Sequence, residues 1–142
     1  MKILQLAPQF PFPEDNGGKI GIASTFRQLS YNSDVTFFCF DDKGINPQLL
    51  NIANQYGRVI VYPHNTQNSP LRIFLSLFRR KPLYLTKHYN SEIIKYLSVL
   101  IEKEKFDIIH ADHTAMAPIA IELSKKYNIP CGLRLHNVEH LI

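Results

Sequence analysis

The chain has 142 residues, of which 45% are hydrophobic and 20% are charged. This length suits one domain with a buried core, and the near-average composition excludes a disordered or fibrous chain. Sixteen basic and twelve acidic residues give a net charge of +4, too weakly basic to indicate a nucleic-acid partner. No apolar run approaches the ~18 residues of a membrane span, and Pro8 comes too early for a signal peptide, so we expect a soluble, cytoplasmic protein.

Hydrophobic patterning predicts strands that alternate with helices along one domain, residues 1–142. Apolar runs predict five strands, at Lys2–Leu6, Val35–Phe40, Arg58–Tyr62, Asp107–His110 and Cys131–Leu135. Helical spacing predicts five helices, at Lys19–Tyr31, Pro47–Tyr56, Pro70–Arg80, Ser91–Lys105 and Thr114–Tyr127. This alternation is typical of an α/β fold, and we predict a doubly wound, mostly parallel sheet.

Single residues refine these boundaries. Gly57 is expected to end the second helix as the glycine just past it, and Ser91 to cap the fourth. Cys39 and Cys131 both fall in strands predicted to be buried, where free thiols act as small hydrophobic groups. A disulfide would be unusual in a cytosolic protein.

Ligands of open parallel sheets bind beyond the carboxyl ends of the strands. That rule selects three loops, which are rich in polar, glycine or titratable residues: Ala7–Gly18, Ala111–Thr114 and His136–His140. Since all three lie at the same edge of the predicted sheet, they indicate one site.

Gly17 and Gly18 come just before the first predicted helix. Glycines allow a ligand to approach the backbone, and a helix start offers free N–H groups, so the pair can hold a phosphate. Simple turn geometry after a proline-rich loop is the alternative. A Gly-x-Gly-x-x-Gly fingerprint and a P-loop are both absent, which argues against dehydrogenases and P-loop NTPases.

Three titratable residues, His110, Asp112 and His113, lie at the end of the fourth predicted strand. Strand alternation places His110 and Asp112 on one side, with His113 at the turn into the next helix. A histidine beside a carboxylate can transfer a proton or bind a hydroxyl group. The alternative is that Asp112 caps the helix and His110 is a core residue.

The run His136–His140 matches His-x-x-Glu-His, a zinc-protease pattern. That pattern needs a helix and a third ligand, whereas here it follows a strand, so we expect no metal site. The other interpretation is a loop in which Asn137 caps a helix, with His136 and Glu139 facing the crevice.

The segment Leu71–Lys81 is predicted to form an amphipathic helix with a wide apolar arc and a basic edge. Such a helix can lie on an anionic membrane surface. Packing against the sheet with a solvated basic edge is the alternative.

These blocks together resemble retaining family 4 glycosyltransferases of the GT-B fold. The opening of that family is similar to Met1–Pro8 followed by Pro11–Pro13 and Gly17–Gly18. Its fourth-strand signature is similar to Phe106–His110 followed by Asp112–His113 and Met116–Ala117, and its His-Asn-Val-Glu block to Leu135–Glu139. The blocks occur in the family's order over nearly the whole chain.

The resemblance implies an acceptor-side N-terminal domain, the Rossmann-like half of a two-domain enzyme. Gly17–Gly18 would approach the diphosphate of a nucleotide-sugar donor, and His136, Asn137 and Glu139 would line the acceptor side of the cleft. Many relatives carry His-x-His where this chain has His110 and Asp112–His113, and we favour His113 over Asp112 for the catalytic role. The family needs no cofactor or metal in general.

The resemblance further implies transfer with retention to a glycan, lipid-linked or other acceptor, in cell-surface polysaccharide or glycoconjugate synthesis. The donor-binding C-terminal domain, with its paired glutamates, is expected beyond this chain, so the isolated domain is expected to be inactive. If Leu71–Lys81 lies on the membrane, the enzyme contacts its inner face through this segment. Alternatives are another GT-B enzyme, such as a nucleotide-sugar epimerase, or a stand-alone module that binds a phosphate ligand.

Overall fold

The computed structural model describes residues 1–64 and 88–135. Its five strands are β1 (Lys2–Ala7), β2 (Asp34–Asp41), β3 (Arg58–Pro63), β4 (Ile108–Asp112) and β5 (Cys131–Arg134). Its four α-helices are α1 (Gly17–Ser30), α2 (Pro47–Asn54), α3 (Ser91–Glu104) and α4 (Ala117–Tyr127), with a 3₁₀ helix at Thr114–Met116. None of these helices is long and apolar enough to cross a lipid bilayer.

Two groups of predictions fall outside the described residues. One is the amphipathic helix over Pro70–Arg80, with the membrane contact of Leu71–Lys81. The other is the proposed acceptor-side loop with His136, Asn137 and Glu139. Both stay predictions.

The five strands form one parallel sheet in the order β3-β2-β1-β4-β5. The chain builds outward from β1 through β2 to β3, and then adds β4 and β5 on the other side of β1. The strand order therefore reverses between β1 and β4, which creates a crevice beyond their carboxyl ends. The predicted α/β, Rossmann-like fold class is confirmed.

Helices cover both faces of the sheet, because the buried side chains of β1 and β2 alternate between two cores. Ile3, Phe37 and Cys39 belong to the core that includes Ile22 and Phe26 of α1. The opposite core joins β1, β2 and β4 to α3 and α4, and includes Leu4, Leu6, Phe38, Ile109, Leu97 and Ile119.

Asparagine side chains cap three of the helices. Asn16 accepts a hydrogen bond from Lys19 N at 3.0 Å, so α1 includes Gly17 and Gly18 in its first turn instead of starting at Lys19. Asn90 caps α3 by accepting from Ile93 N at 2.8 Å, so the expectation that Ser91 is the cap is wrong. An asparagine amide accepts as well as a serine hydroxyl at this position, and the pattern could not rank the two.

Two further expectations are wrong for reasons of packing. Gly57 lacks the left-handed φ of a helix-ending glycine; instead, a Cβ there would lie 2.4 Å from the carbonyl oxygen of Val35. Cys131 is exposed, because β5 is one of the two edge strands of the sheet among the described residues. Cys39 is buried as predicted, and burial raises the pKa of its thiol.

The proline-rich loop between β1 and α1 is anchored by aromatic packing. Phe12 stacks on Tyr56 at a centroid distance of 6.4 Å, and the guanidinium of Arg27 lies over both rings. Glu14 holds Arg27 in an ion pair, and hydrogen bonding to this carboxylate raises the pKa of Arg27. These contacts fix the loop that leads to the amino terminus of α1.

Replacing Gly57 with alanine should destabilise the fold by about 1–3 kcal/mol, because the new methyl group collides with backbone. Gly17→Ala is the matched control. No atom lies within 4 Å of the position that its Cβ would take, and alanine is the better helix former by up to about 1 kcal/mol. Urea unfolding should place the two variants on opposite sides of wild type. Equal stability of Gly57→Ala and wild type would contradict the close approach.

Candidate functional site

Asp112, at the carboxyl end of β4, makes side-chain hydrogen bonds to both neighbouring strands. Its side chain is fully buried and accepts hydrogen bonds from Gln5 Nε2 at 3.0 Å and from Arg134 Nε at 2.6 Å. Arg134 Nη2 lies 2.6 Å from the same oxygen but makes no aligned hydrogen bond, so Nε is the donor. The alternative role of Asp112 as a helix cap is wrong, because the 3₁₀ helix that follows has no side-chain cap.

Gln5, Asp112 and Arg134 form a hydrogen-bonded network, and the register of their strands brings them together. Gln5 of β1 lies opposite His110 of β4, and Asp112 lies opposite Arg134 of β5. Side chains two apart on a strand share a face, so His110 and Asp112 lie on the same side, as predicted. That side is the face covered by α1.

Helix α1 approaches the network at Gly21. A Cβ on Gly21 would lie 3.0 Å from Arg134 Nη1 and 3.1 Å from Nη2. The guanidinium of Arg134 therefore occupies the space left by the missing side chain. One helical turn separates Gly21 from Gly17, so the start of α1 and the end of β4 flank the same crevice.

His113 leaves β4 in a strained conformation, with φ +75° and ψ 148°. Non-glycine residues rarely occupy this region, and the strain costs about 1–3 kcal/mol. The His113 N–H donates to the carbonyl oxygen of Arg134 at 3.0 Å, and the His113 carbonyl accepts from Met116 N at 3.0 Å. The side chain is 7% exposed. Backbone contacts on both sides thus hold this residue at the crevice.

Gly17 and Gly18 form the first turn of α1, on the other side of the crevice. The Asn16 side chain binds Lys19 N–H and its carbonyl binds Ile20 N–H, whereas the N–H groups of Gly17 and Gly18 have no partner within the helix. A Cβ at Gly17 would meet no atom within 4 Å. The backbone is open to a ligand at this point.

His110 is half-buried beside the network, and burial lowers the pKa of its imidazole; the carboxylate of Asp112 opposes this shift and the charge of Arg134 adds to it. Its Nδ1 would lie 3.9 Å from a Cβ at Gly132, which is ordinary van der Waals contact, so the ring lies beside β5. Among the described residues, His110 Nε2 and Gln5 Oε1 have no hydrogen-bond partner. These features favour a neutral His110.

The predicted residues within the described ranges fall at one edge of the sheet. Asp112 and His113 end β4, and Gly17 and Gly18 open the helix that follows β1. Sequence reasoning missed Gln5, Gly21 and Arg134. Each carried a signal: a polar residue within an apolar strand, a glycine inside a helix, and a charge within a short strand.

No group of three or more His, Cys, Asp or Glu side chains is placed to hold a metal ion within residues 1–64 and 88–135. Independence of metals and cofactors stays a prediction.

The comparisons with known proteins give structural likeness at low sequence identity. No protein-family model matches the chain, and no curated protein sequence matches it. A sucrose-phosphate synthase from Thermosynechococcus elongatus is 13% identical with a TM-score of 0.66, covering 100% of this chain and 35% of its own. Phytolacca americana UGT2, solved with UDP-2-fluoro-glucose and pterostilbene, is 14% identical with a TM-score of 0.59, covering 94% and 30%.

A domain from a differently described protein has the same fold. The C-terminal domain of a Pyrococcus furiosus hydrogenase is 20% identical with a TM-score of 0.60, covering 94% of this chain and 90% of that domain. At these identities the likeness establishes the α/β fold alone. The chain spans about a third of the length of the sucrose-phosphate synthase and of UGT2.

The lowered pKa of His110 predicts a dependence of stability on pH. At pH values below the ordinary histidine pKa of 6.5, His110 binds a proton more readily in the unfolded chain than in the folded chain. The free energy of unfolding therefore falls as the pH decreases. His110→Gln should remove this component. Urea midpoints at about pH 7.5 and about pH 5.5 should therefore differ more for wild type than for the variant. An unchanged pH difference in the variant would contradict the burial of neutral His110.

Proposed function

We propose that this chain is the acceptor-side, N-terminal domain of a glycosyltransferase. The whole enzyme moves a sugar from a nucleotide-sugar donor to a glycan, lipid-linked or other acceptor with retention, in cell-surface polysaccharide or glycoconjugate synthesis. It works in the cytoplasm, with contact to the inner face of the membrane through Leu71–Lys81. A second domain that binds the donor nucleotide completes the cleft.

One observation carries this proposal: a helix start open to an anion lies across the crevice from a strained histidine. The link between them is physical, since Arg134 contacts Gly21 of α1 and binds Asp112 of β4. The crevice lies at the point where strand order reverses, which is where open α/β sheets bind ligands. The fold shared with two glycosyltransferases supports the same proposal.

The helix start suits the donor diphosphate. The N–H groups of Gly17 and Gly18 and the positive end of the helix dipole stabilise negative charge. During transfer, the bond between the sugar C1 and the phosphate oxygen breaks while C1 bonds to the acceptor oxygen, whose proton is released to water. Charge then builds up on the departing diphosphate, so stabilisation there lowers the barrier.

His113 is the residue that we assign to contact with the transferred sugar or the acceptor. It is held at the crevice at a cost in backbone strain, and strain of this kind clusters at active sites. The carboxylate of Asp112 is fully buried and already binds Gln5 and Arg134, so its role is to support His113. His136, Asn137 and Glu139 extend the site on the acceptor side, and the reaction uses no metal or cofactor.

The test is a transfer assay on the longer protein that contains the second domain. UDP-glucose, UDP-galactose, UDP-N-acetylglucosamine and GDP-mannose serve as donor probes with a bacterial lipid extract and an oligosaccharide mixture. Product is detected by mass spectrometry, and anomeric configuration by proton NMR. We expect release of nucleoside diphosphate that depends on acceptor. Epimerised donor without acceptor would favour an epimerase instead, and no turnover of any donor would overturn the proposal.

In that assay His113→Ala should lower kcat by at least about 100-fold, since groups that act on the reacting atoms are typically worth this much. Tyr31→Ala is the control. Tyr31 is 86% exposed at the far end of α1, away from the carboxyl ends of the strands, and its loss should leave kcat unchanged. Normal kcat in His113→Ala would remove this residue from the reaction.

Gly17→Asp should separate donor binding from stability. A carboxylate at the helix start interacts favourably with the helix dipole and stabilises the fold by about 0.3–1 kcal/mol, but it repels a phosphate. The KM for the donor should therefore rise at least about tenfold above that of the uncharged Gly17→Asn, while the melting temperature does not fall.

Tyr31→Asp, at the opposite end of the same helix, controls for net charge. Equal donor KM values in the two Gly17 variants would show that no phosphate binds there.

A further inference from the structure

Arg134 contacts both residues at the end of β4. Its Nε donates to the carboxylate of Asp112, and its carbonyl oxygen accepts the N–H of His113. We propose that Arg134 is a positioning residue that fixes the backbone of His113 at the crevice. Its catalytic consequence rests on the proposed function, but the positioning itself is a property of this chain.

The side chain and the carbonyl of Arg134 act together because β5 is short and lies at an edge of the sheet formed by residues 1–64 and 88–135. The strand has four residues, and Arg134 is the last of them. The end of an edge strand frays unless side chains hold it. The ion pair with the fully buried Asp112 supplies that hold, and it keeps the Arg134 carbonyl within reach of His113 N–H.

Gly21 provides the space that this arrangement needs. Glycine inside a helix costs about 1 kcal/mol relative to alanine, so its presence indicates a compensating gain. The atoms that a Cβ would meet are Nη1 and Nη2 of Arg134 at 3.0 and 3.1 Å. A methyl group on Gly21 would press on the guanidinium, which would have to shift by a small fraction of its own width, while strengthening the helix.

The strain at His113 explains why a positioning residue is required. Left to itself, a residue at φ +75° relaxes to a common backbone conformation, and only surrounding contacts prevent this. The hydrogen bond to Arg134 and the one to Met116 N–H are the backbone contacts that hold it. Loss of the Arg134 contact should therefore release His113 before the rest of the sheet.

The experiment measures His113 directly in the 142-residue chain. Amide hydrogen exchange and the coupling between the amide and Cα protons are recorded by NMR for wild type, Arg134→Lys, Arg134→Met and Gly21→Ala. Phe37 N–H in the central sheet reports global unfolding. Gly17→Ala repeats the glycine-to-alanine change on the same helix, where no atom lies within 4 Å.

We expect Arg134→Met to lower the protection of His113 N–H at least about tenfold relative to Phe37 and to change its coupling constant. Gly21→Ala only shifts the guanidinium, so it should lower that protection less than Arg134→Met and more than Gly17→Ala. Arg134→Lys should restore part of the protection, because lysine keeps the charge without the planar fork. An equal loss at His113 and Phe37, or no loss in Arg134→Met, would overturn the positioning role. Because no substrate is involved, a negative transfer assay would refute the proposed function without touching this result.

Discussion

The arrangement at the crevice depends on how one buried carboxylate is neutralised. Asp112 has no exposed surface, and a charge removed from water must find partners within the protein. It finds them on both neighbouring strands, in Gln5 of β1 and Arg134 of β5. The same guanidinium fits against α1 at Gly21. One carboxylate thus ties together three adjacent strands and the first helix at the point where strand order reverses.

The crevice has two fixed walls, and the buried carboxylate orders one of them. On one side, the pair with Arg134 orders the end of β4 and, with it, the strained backbone of His113. On the other side, Phe12 packs against Tyr56 under the Arg27–Glu14 ion pair and fixes the loop that leads to Gly17. A site that must stabilise developing charge benefits from groups held in place before the substrate arrives.

The fold class could be predicted from the sequence because the hydrophobic period and the turn residues reflect local geometry. The sequence also placed His110 and Asp112 on one face, since strand alternation is local too. The register between strands that are distant in sequence could not be predicted. The residues around Asp112 do not indicate that Gln5 and Arg134 are its partners. The prediction that Cys131 is buried is wrong for a related reason, because an apolar run does not show whether its strand is central or at an edge. The capping residue of α3 was predicted as Ser91 instead of Asn90 because serine and asparagine both cap helices well.

The Asp112–Arg134 pair holds the end of β4, β5 and α1 together, and a double-mutant cycle tests this role most directly. Urea unfolding of wild type, Asp112→Asn, Arg134→Met and the double variant gives the coupling energy between the two side chains. Residues that share an ion pair with a fully buried carboxylate should couple by at least about 1 kcal/mol, with the double variant less destabilised than the sum of the single ones. Additivity within about 0.5 kcal/mol would contradict the account.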